Sequence, residues 1–222
     1  MAGNSLEDRV KLLEKEIERL QAYNEIQNLV AKYEVIHTPL TEHQSAELFA
    51  LKQPDVSVEI AMWGKVIGPG NIQRVWPKRV KDTASGEQTM AGGMFEHDLT
   101  TPVIQVAKDG KTAKGLWFSP GHETLRDKNG KLVAHWCWGK FGADFIKEDG
   151  KWKIWHYHWY DVFRTPYDKS WVDYPQPLTE DIPGLKPNEP TTRRATYFPD
   201  QVRGPVPEWP EPYDTWDGKS MA

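Results

Sequence analysis

Histidine is the one side chain that changes charge near neutral pH without a perturbed environment, so proton-transfer chemistry is first sought there. The chain has seven histidines, and two stand together in "WKIWHYHWYDVFRTPY", Trp152 to Tyr167. On an extended strand His156 and His158 share one face, and His97 and His135 are further imidazoles that a metal could recruit. The pattern argues against a metal. A cupin-type site needs His-x-His followed by Glu and another His, whereas Asp161 falls on the opposite alternation. No metal site is assigned. Tyr33 and His37, four residues apart, share a helical face, although a helix packed on a core gives the same spacing. Lys140 interrupts the apolar run "HWCWGKFGADF", where an ammonium could bind a phenolate or carboxylate. A lysine guarding an exposed sheet edge is the simpler reading.

These groups need elements to position them. The 152–163 segment is heavy on both alternation sets: Trp152, Ile154, His156, His158, Tyr160 and Val162 on one, Lys153, Trp155, Tyr157, Trp159, Asp161 and Phe163 on the other. Such a strand needs cover on both sides, and a ligand is one candidate cover. Eleven Trp in 222 residues fit either a large aromatic core or a pocket for a flat apolar molecule. Upstream, Leu6, Val10, Leu13, Ile17 and Leu20 step by four, three, four and three, an apolar helical stripe expected to dock on the body or on a neighbouring subunit. Ser5 and Asp8 form a capping-box pattern before it. A second helix is read in "NEIQNLVAKYEVIH", a third in "TEHQSAELFAL" and a short one in "GNIQRVWPKRV". "DVSVEIAMWGKVIGPG" reads as a hairpin. Two more hairpins are read at Asp109-Gly110 and Asp149-Gly150, where Asp-Gly suits a tight turn. Helices followed by consecutive strands predict an α+β fold, with helices on one face of a strongly curved antiparallel sheet. Ten of the seventeen prolines lie between Pro175 and Pro212, which excludes regular helix or central strand there. The same stretch and its continuation carry Tyr197, Phe198, Trp209, Tyr213 and Trp216, so an extended arm wrapped over the domain or a partner is expected.

A net charge of −4 without a Lys/Arg cluster argues against nucleic acid. No apolar run approaches the roughly 20 residues of a membrane span, and the N-terminus lacks a signal-peptide pattern. A single cysteine excludes an internal disulfide framework. A cytoplasmic location is the expectation.

The order of elements resembles the SnoaL-like branch of the nuclear-transport-factor-2-like (NTF2-like) superfamily. The resemblance is carried by "EIQNLVAKYEVIH", "FEHDLTTPVIQV" and "DFIKEDGKWKIWH", and covers roughly residues 22–168. It implies a cone-shaped domain over residues 22–171 with an apolar pocket, preceded by an amphipathic helix (1–21) and followed by the Pro-rich arm (172–222). Members of the superfamily include dehydratases, a dehydrochlorinase, steroid isomerases, cyclases and a diarylpropane lyase, but also non-catalytic binding modules. Fold alone therefore implies a pocket and not a reaction.

The resemblance implies a catalytic base at His97, a second catalytic histidine at His122 to within one residue, and a pocket tyrosine at Tyr33. His37, Trp117, Tyr157, His158, Tyr160 and Lys140 are the implied substrate-binding candidates. The acid that pairs with the base in the dehydrochlorinase falls at Thr38 here. Glu34, Glu59, Asp98 or Asp144 would have to replace it, unless the chemistry runs without a dyad. The implied function is a cofactor-independent lyase or dehydratase acting on an aromatic or polycyclic hydrophobic compound. A lignin-derived aryl compound losing water or formaldehyde is the example closest to hand. An isomerase, a cyclase or a binding module would use the same pocket, and a homo-oligomer, dimer or trimer, is expected.

Overall fold

A computed structural model of the chain describes residues 5–76, 91–127, 129–174 and 184–222. The first helix, α1, runs from Leu6 to Ile36. It opens on the expected capping box, with Asp8 N–H donating to Ser5 Oγ at 3.1 Å and Ser5 N–H to Asp8 Oδ2 at 3.2 Å. The two helical patterns lie on this one helix. Nothing between Leu20 and Ile26 breaks it, and the expected boundary between residues 21 and 22 falls in its middle. Its second half packs through Ala22, Ile26, Val30 and Tyr33. Among the described residues nothing covers the apolar stripe of its first half: Leu6, Val10, Leu13, Ile17 and Leu20 are all exposed.

A 3-10 turn over Glu42–Leu48 stands where a third helix is expected. Strands β1 (Ser57–Ile60) and β2 (Gly64–Ile67) form the first hairpin, and α2 (Pro69–Val75) follows with Pro at its start. Then come β3 (Met94–His97), β4 (Thr100–Val106), β5 (Thr112–Arg126), β6 (Leu132–Glu148) and β7 (Lys151–Pro166). The expected turns join β4 to β5 and β6 to β7, with Gly110 and Gly150 at positive φ, where a side chain would be strained.

All strands among the described residues belong to one seven-stranded sheet, ordered β2-β1-β7-β6-β5-β3, with β4 also on β5. One pairing departs from the antiparallel expectation. β1 runs parallel to β7, Ser57 opposite His156 and Ile60 opposite Trp159, so the sheet is mixed. The separation of nearly a hundred residues between the partners leaves no local turn signal to announce the pairing. β7 carries two irregularities against β6, between the pairs Asp144/Phe145 and Trp138/Gly139. At the first, Trp155 is the extra residue and the alternation inverts beyond it. Ile154 and then Tyr157 and Trp159 therefore face the same inner side, under α1.

The outer face of β7 is covered by the chain's own C-terminal arm. Glu59 is fully buried, with its carboxylate accepting from Thr192 N–H at 2.6 Å and Thr192 Oγ1 at 2.9 Å. Asp144, also fully buried, accepts from Met221 N–H at 3.0 Å, and Tyr160 Oη donates to Met221 O at 2.6 Å. Trp216 packs on Trp155 and His156. The arm also pairs with the β2 edge, Lys65 N–H donating to Glu189 O at 2.9 Å. Lys140 is no edge lysine. It sits on β6, inside the sheet, and its Nζ donates to Val206 O at 2.6 Å.

Removing the arm would strip partners from two buried carboxylates and expose aromatic rings. A chain ending before residue 184 should melt lower by at least several degrees and self-associate more. Calorimetry and light scattering measure both, and an unchanged monodisperse truncation would show the arm to be passive.

Candidate active site

Register decides which side chains meet. Across β3 and β5 the pairs are Phe95–Glu123, Glu96–His122 and His97–Gly121. Directly opposed residues share a face and neighbours alternate, so Phe95, His97, Gly121 and Glu123 point inward while Glu96 and His122 point out. His122 is half-exposed on the outer face, 3.3 Å from Glu96 and edge-on to Trp136. It is therefore not a partner of His97. Gly121 makes room for the imidazole: a Cβ there would lie 2.5 Å from His97 Nδ1.

The group that does meet His97 is Glu123, one residue beyond the expected position. His97 Nε2 is 3.1 Å from Glu123 Oε1, and Arg164 Nε from β7 is 3.0 Å from Glu123 Oε2. His97 and Glu123 side chains are only 7% and 8% exposed, so the pair is little screened by water. Burial pushes the Glu123 carboxyl up. The hydrogen bond and charge of His97, the charge of Arg164 and a hydrogen bond from Cys137 outweigh it and bring it down to about 2. Burial pulls the His97 imidazolium down, and the hydrogen bond and charge of Glu123, with Glu34 and Asp98, raise it on balance.

From the helix side, α1 contributes Tyr33, Glu34 and His37. With Ile60, His97, Glu123, Tyr157 and Trp159 they line a cavity of about 70 Å³. Glu34 is pushed up to about 8 by burial, against the pull of His97 and with the push of Asp98. Tyr33 and Tyr157 hydrogen-bond to each other, and burial raises both phenols above their ordinary value. Opposite poise of neighbouring groups in one cavity is what acid–base chemistry requires. Aromatic walls complete it: Tyr33 packs edge-on against Phe49, Trp76 and Phe141, and His97 against Trp159.

Of the expected site residues, His97, Tyr33, His37 and Tyr157 come together here. Trp117 faces inward but lies deeper, its Nε1 donating to Gln27 Oε1 at 2.9 Å and its ring edge-on to Phe141 and Phe145. His158 and Tyr160 stack on each other at 3.6 Å on the outer side, beneath the arm, because of the inversion at Trp155. Lys140 is held there too. Among the candidate replacement acids, Glu59 and Asp144 also face the arm.

The "HYH" imidazoles cannot share a metal with His97. His156 bonds Asp144 at 2.9 Å on the outer face, with the sheet between them and the cavity. Among the described residues a different trio has donor atoms within 4.8 Å of one another: His97, Glu123 and Cys137. Burial, with the charges of Glu123 and Asp161, holds the Cys137 thiol well above its ordinary value. Arg164 already neutralises Glu123, so a cation would have to displace that charge.

Residues 18–158 match the family model described as a SnoaL-like domain. The chain belongs to the SnoaL-like family. Its fold is the NTF2-like α+β cone that the order of elements implies. Among solved structures it resembles a putative scytalone dehydratase from Novosphingobium aromaticivorans, at 14% identity and TM-score 0.53, over 70% of this chain and 93% of that one. LinA is similar at 16% identity and TM-score 0.50, over 70% and 96%. A hexachlorocyclohexane dehydrochlorinase, LinA-type3 from Novosphingobium barchaimii, has 15% identity and TM-score 0.49, over 70% and 96%. No curated protein matches the sequence. Among the described residues no helix is long and apolar enough to cross a membrane.

The perturbed groups of this SnoaL-like cavity make stability depend on pH in opposite senses. Glu123 lies below its ordinary 4.5 in the fold, so its stabilisation is present above that pH and is lost as pH falls towards 2. Glu34 lies above 4.5, so its contribution is full below that pH and is lost as pH rises through about 8. Glu34→Gln should therefore raise the melting temperature most at pH near 9 and little near pH 5. Glu123→Gln should lower it most around pH 6. Thermal melts of both variants across pH check this, and a pH-independent gain for Glu34→Gln would refute it.

Proposed function

We propose that this SnoaL-like protein is a cofactor-independent lyase that eliminates a small group, such as water, from a hydrophobic aromatic molecule. The observation that carries the reading is the buried His97–Glu123–Arg164 chain opening into an aromatic cavity that also holds a carboxyl of raised proton affinity. His97 takes the proton. Glu123 and Arg164 orient the imidazole and balance the charge it gains, the role of the carboxylate in a His-based dyad. Glu34, in its neutral form, gives a proton to the departing oxygen. The Tyr33–Tyr157 pair donates to a substrate carbonyl or phenolic oxygen, whose developing negative charge it stabilises in an apolar setting.

In this scheme the C–H electron pair becomes the new C=C bond and the C–O pair leaves with the oxygen. One proton passes to His97 and one leaves Glu34, so water is released and the pair ends as imidazolium and carboxylate. Transfer of a single proton from His97 to Glu34 restores the starting state. Two groups that share one proton titrate as a pair, so a bell-shaped pH–rate profile belongs to both together. A cavity of about 70 Å³ receives the reacting end of the substrate, with the remainder lying across the rim at His37 and Phe95. Aryl compounds of lignin type fit the ring-lined walls, and loss of formaldehyde would use the same base on a hydroxyl proton.

The probe is the β-hydroxy ketone formed from benzaldehyde and acetone, whose dehydration gives a conjugated, strongly absorbing enone. His97→Ala should fold normally and lose about a hundredfold or more of activity. His122→Ala should keep it, because that ring points away from the cavity. Glu34→Gln should lose about a hundredfold on the alcohol, and the deficit should shrink at least tenfold on the corresponding acetate ester, whose leaving group needs no proton. Equal activity of His97→Ala and wild type would remove the role of His97 as base, and binding without turnover or deuterium exchange in the wild type would turn the reading towards a binding module. Equal deficits of Glu34→Gln on both probes would remove only the acid role.

A further inference from the structure

The first turns of α1 carry an apolar stripe that the described residues of the chain leave uncovered. Leu6, Val10, Leu13, Ile17 and Leu20 are 76%, 44%, 62%, 53% and 65% exposed. At about 100° per residue, the mean direction of the stripe lies roughly 170° around the helix from that of Ala22, Ile26, Val30 and Tyr33. Those four residues pack on the sheet. The described body therefore stands on the wrong side of the helix to cover the stripe, which is left free for a second molecule.

The spacing of four, three, four and three puts Val10 and Ile17 at heptad position a and Leu6, Leu13 and Leu20 at d. β-Branched residues at a with leucine at d favour two parallel strands. We propose that residues 6–20 of α1 form a parallel two-stranded coiled coil with the same segment of a second copy of this chain. Charge supports the alignment. Arg9 at g faces Glu14 at e of the second copy, and symmetry makes the contact twice. In the antiparallel alignment that sets Val10 against Leu20, Glu14 meets Glu14 and Glu16 meets Glu16, which like charge opposes; in the one that sets Val10 against Leu13, two Glu7–Glu14 contacts offset two Arg9–Glu16 contacts. The next a and d positions are Asn24 and Gln27. Gln27 is committed to the body through its bond to Trp117, so the seam stops at Leu20, where the helix begins to pack on its own sheet. Two heptads make a short seam, and the dimer forms and dissociates with concentration.

Sedimentation of the full chain over a wide concentration range should show a monomer–dimer equilibrium, and Leu13→Glu should weaken it at least tenfold. Under mild oxidation Leu13→Cys should give a disulfide-linked dimer, whereas Lys15→Cys, on the opposite side of the helix, should not. The native Cys137 is buried and does not compete. Arg9→Glu and Glu14→Arg should each weaken association, and the double exchange should restore it. The seam is overturned by a monomer at all concentrations or by an oligomer indifferent to Leu13→Glu, which would place the contact on the sheet. Equal crosslinking of the two cysteine variants, or charge exchanges that do not compensate, would overturn the parallel alignment.

Discussion

β7 buries side chains on both of its faces, and most of the architecture follows from covering them. Its inner side presents Ile154, Tyr157 and Trp159 to α1 and the cavity, and its outer side presents His156, His158 and Tyr160. A strand of this kind, left bare on either side, offers aromatic surface for association. The inner cover is a helix. The outer cover is an arm whose prolines cannot act as a further central strand, so it satisfies the sheet without extending it. Its contacts are chosen by what is buried beneath: Thr192 answers Glu59, and Met221 and Ser220 answer Asp144. Each carboxylate would be costly to bury without those donors.

The parts of this plan with local signals were legible in the sequence. Asp-Gly pairs fixed two turns, Ser5 and Asp8 the start of α1, and proline density together with aromatic residues the nature of the arm. What was hidden depends on distant partners. The parallel pairing of β1 with β7 has no local signature, and a single extra residue at Trp155 changes the face of everything after it. The long helix shows a subtler limit. Its two apolar patterns lie on nearly opposite sides, one for the body and one turned away from it, and so they read as two helices although no Gly or Pro separates them.

The partner that His97 meets in the candidate site stands one residue from the expected one, and on a strand that is the whole difference. His122 and Glu123 are chain neighbours, yet one faces out beside Glu96 and the other meets His97. The pairing His97–Gly121 settles the parity, and it exists only once β3 and β5 are in register. Within the sequence, the signal was an acid beside the expected histidine and a glycine two positions earlier, where space for a ring would be needed. Arg164 lay beyond reach, since its inward direction depends on the second irregularity of β7.

The hydrogen bond between His97 and Glu123, with the charge of Arg164 behind it, allows two carboxyls to differ within one small cavity. Glu34 and Glu123 both stand near His97, and burial alone would push both towards the neutral form. Arg164 and the imidazole fix the negative charge on Glu123, leaving Glu34 as the carboxyl that keeps its proton near neutral pH. The asymmetry is set by position. Glu123 lies on the sheet, where β7 can bring a guanidinium to it. Glu34 lies on α1, where the described charges acting on it are those of His97 and Asp98. An imidazole–carboxylate pair with a fixed counter-charge and a carboxyl without one are thus consequences of which wall each residue comes from, and the sheet register that turns His122 outward is the same feature that creates them.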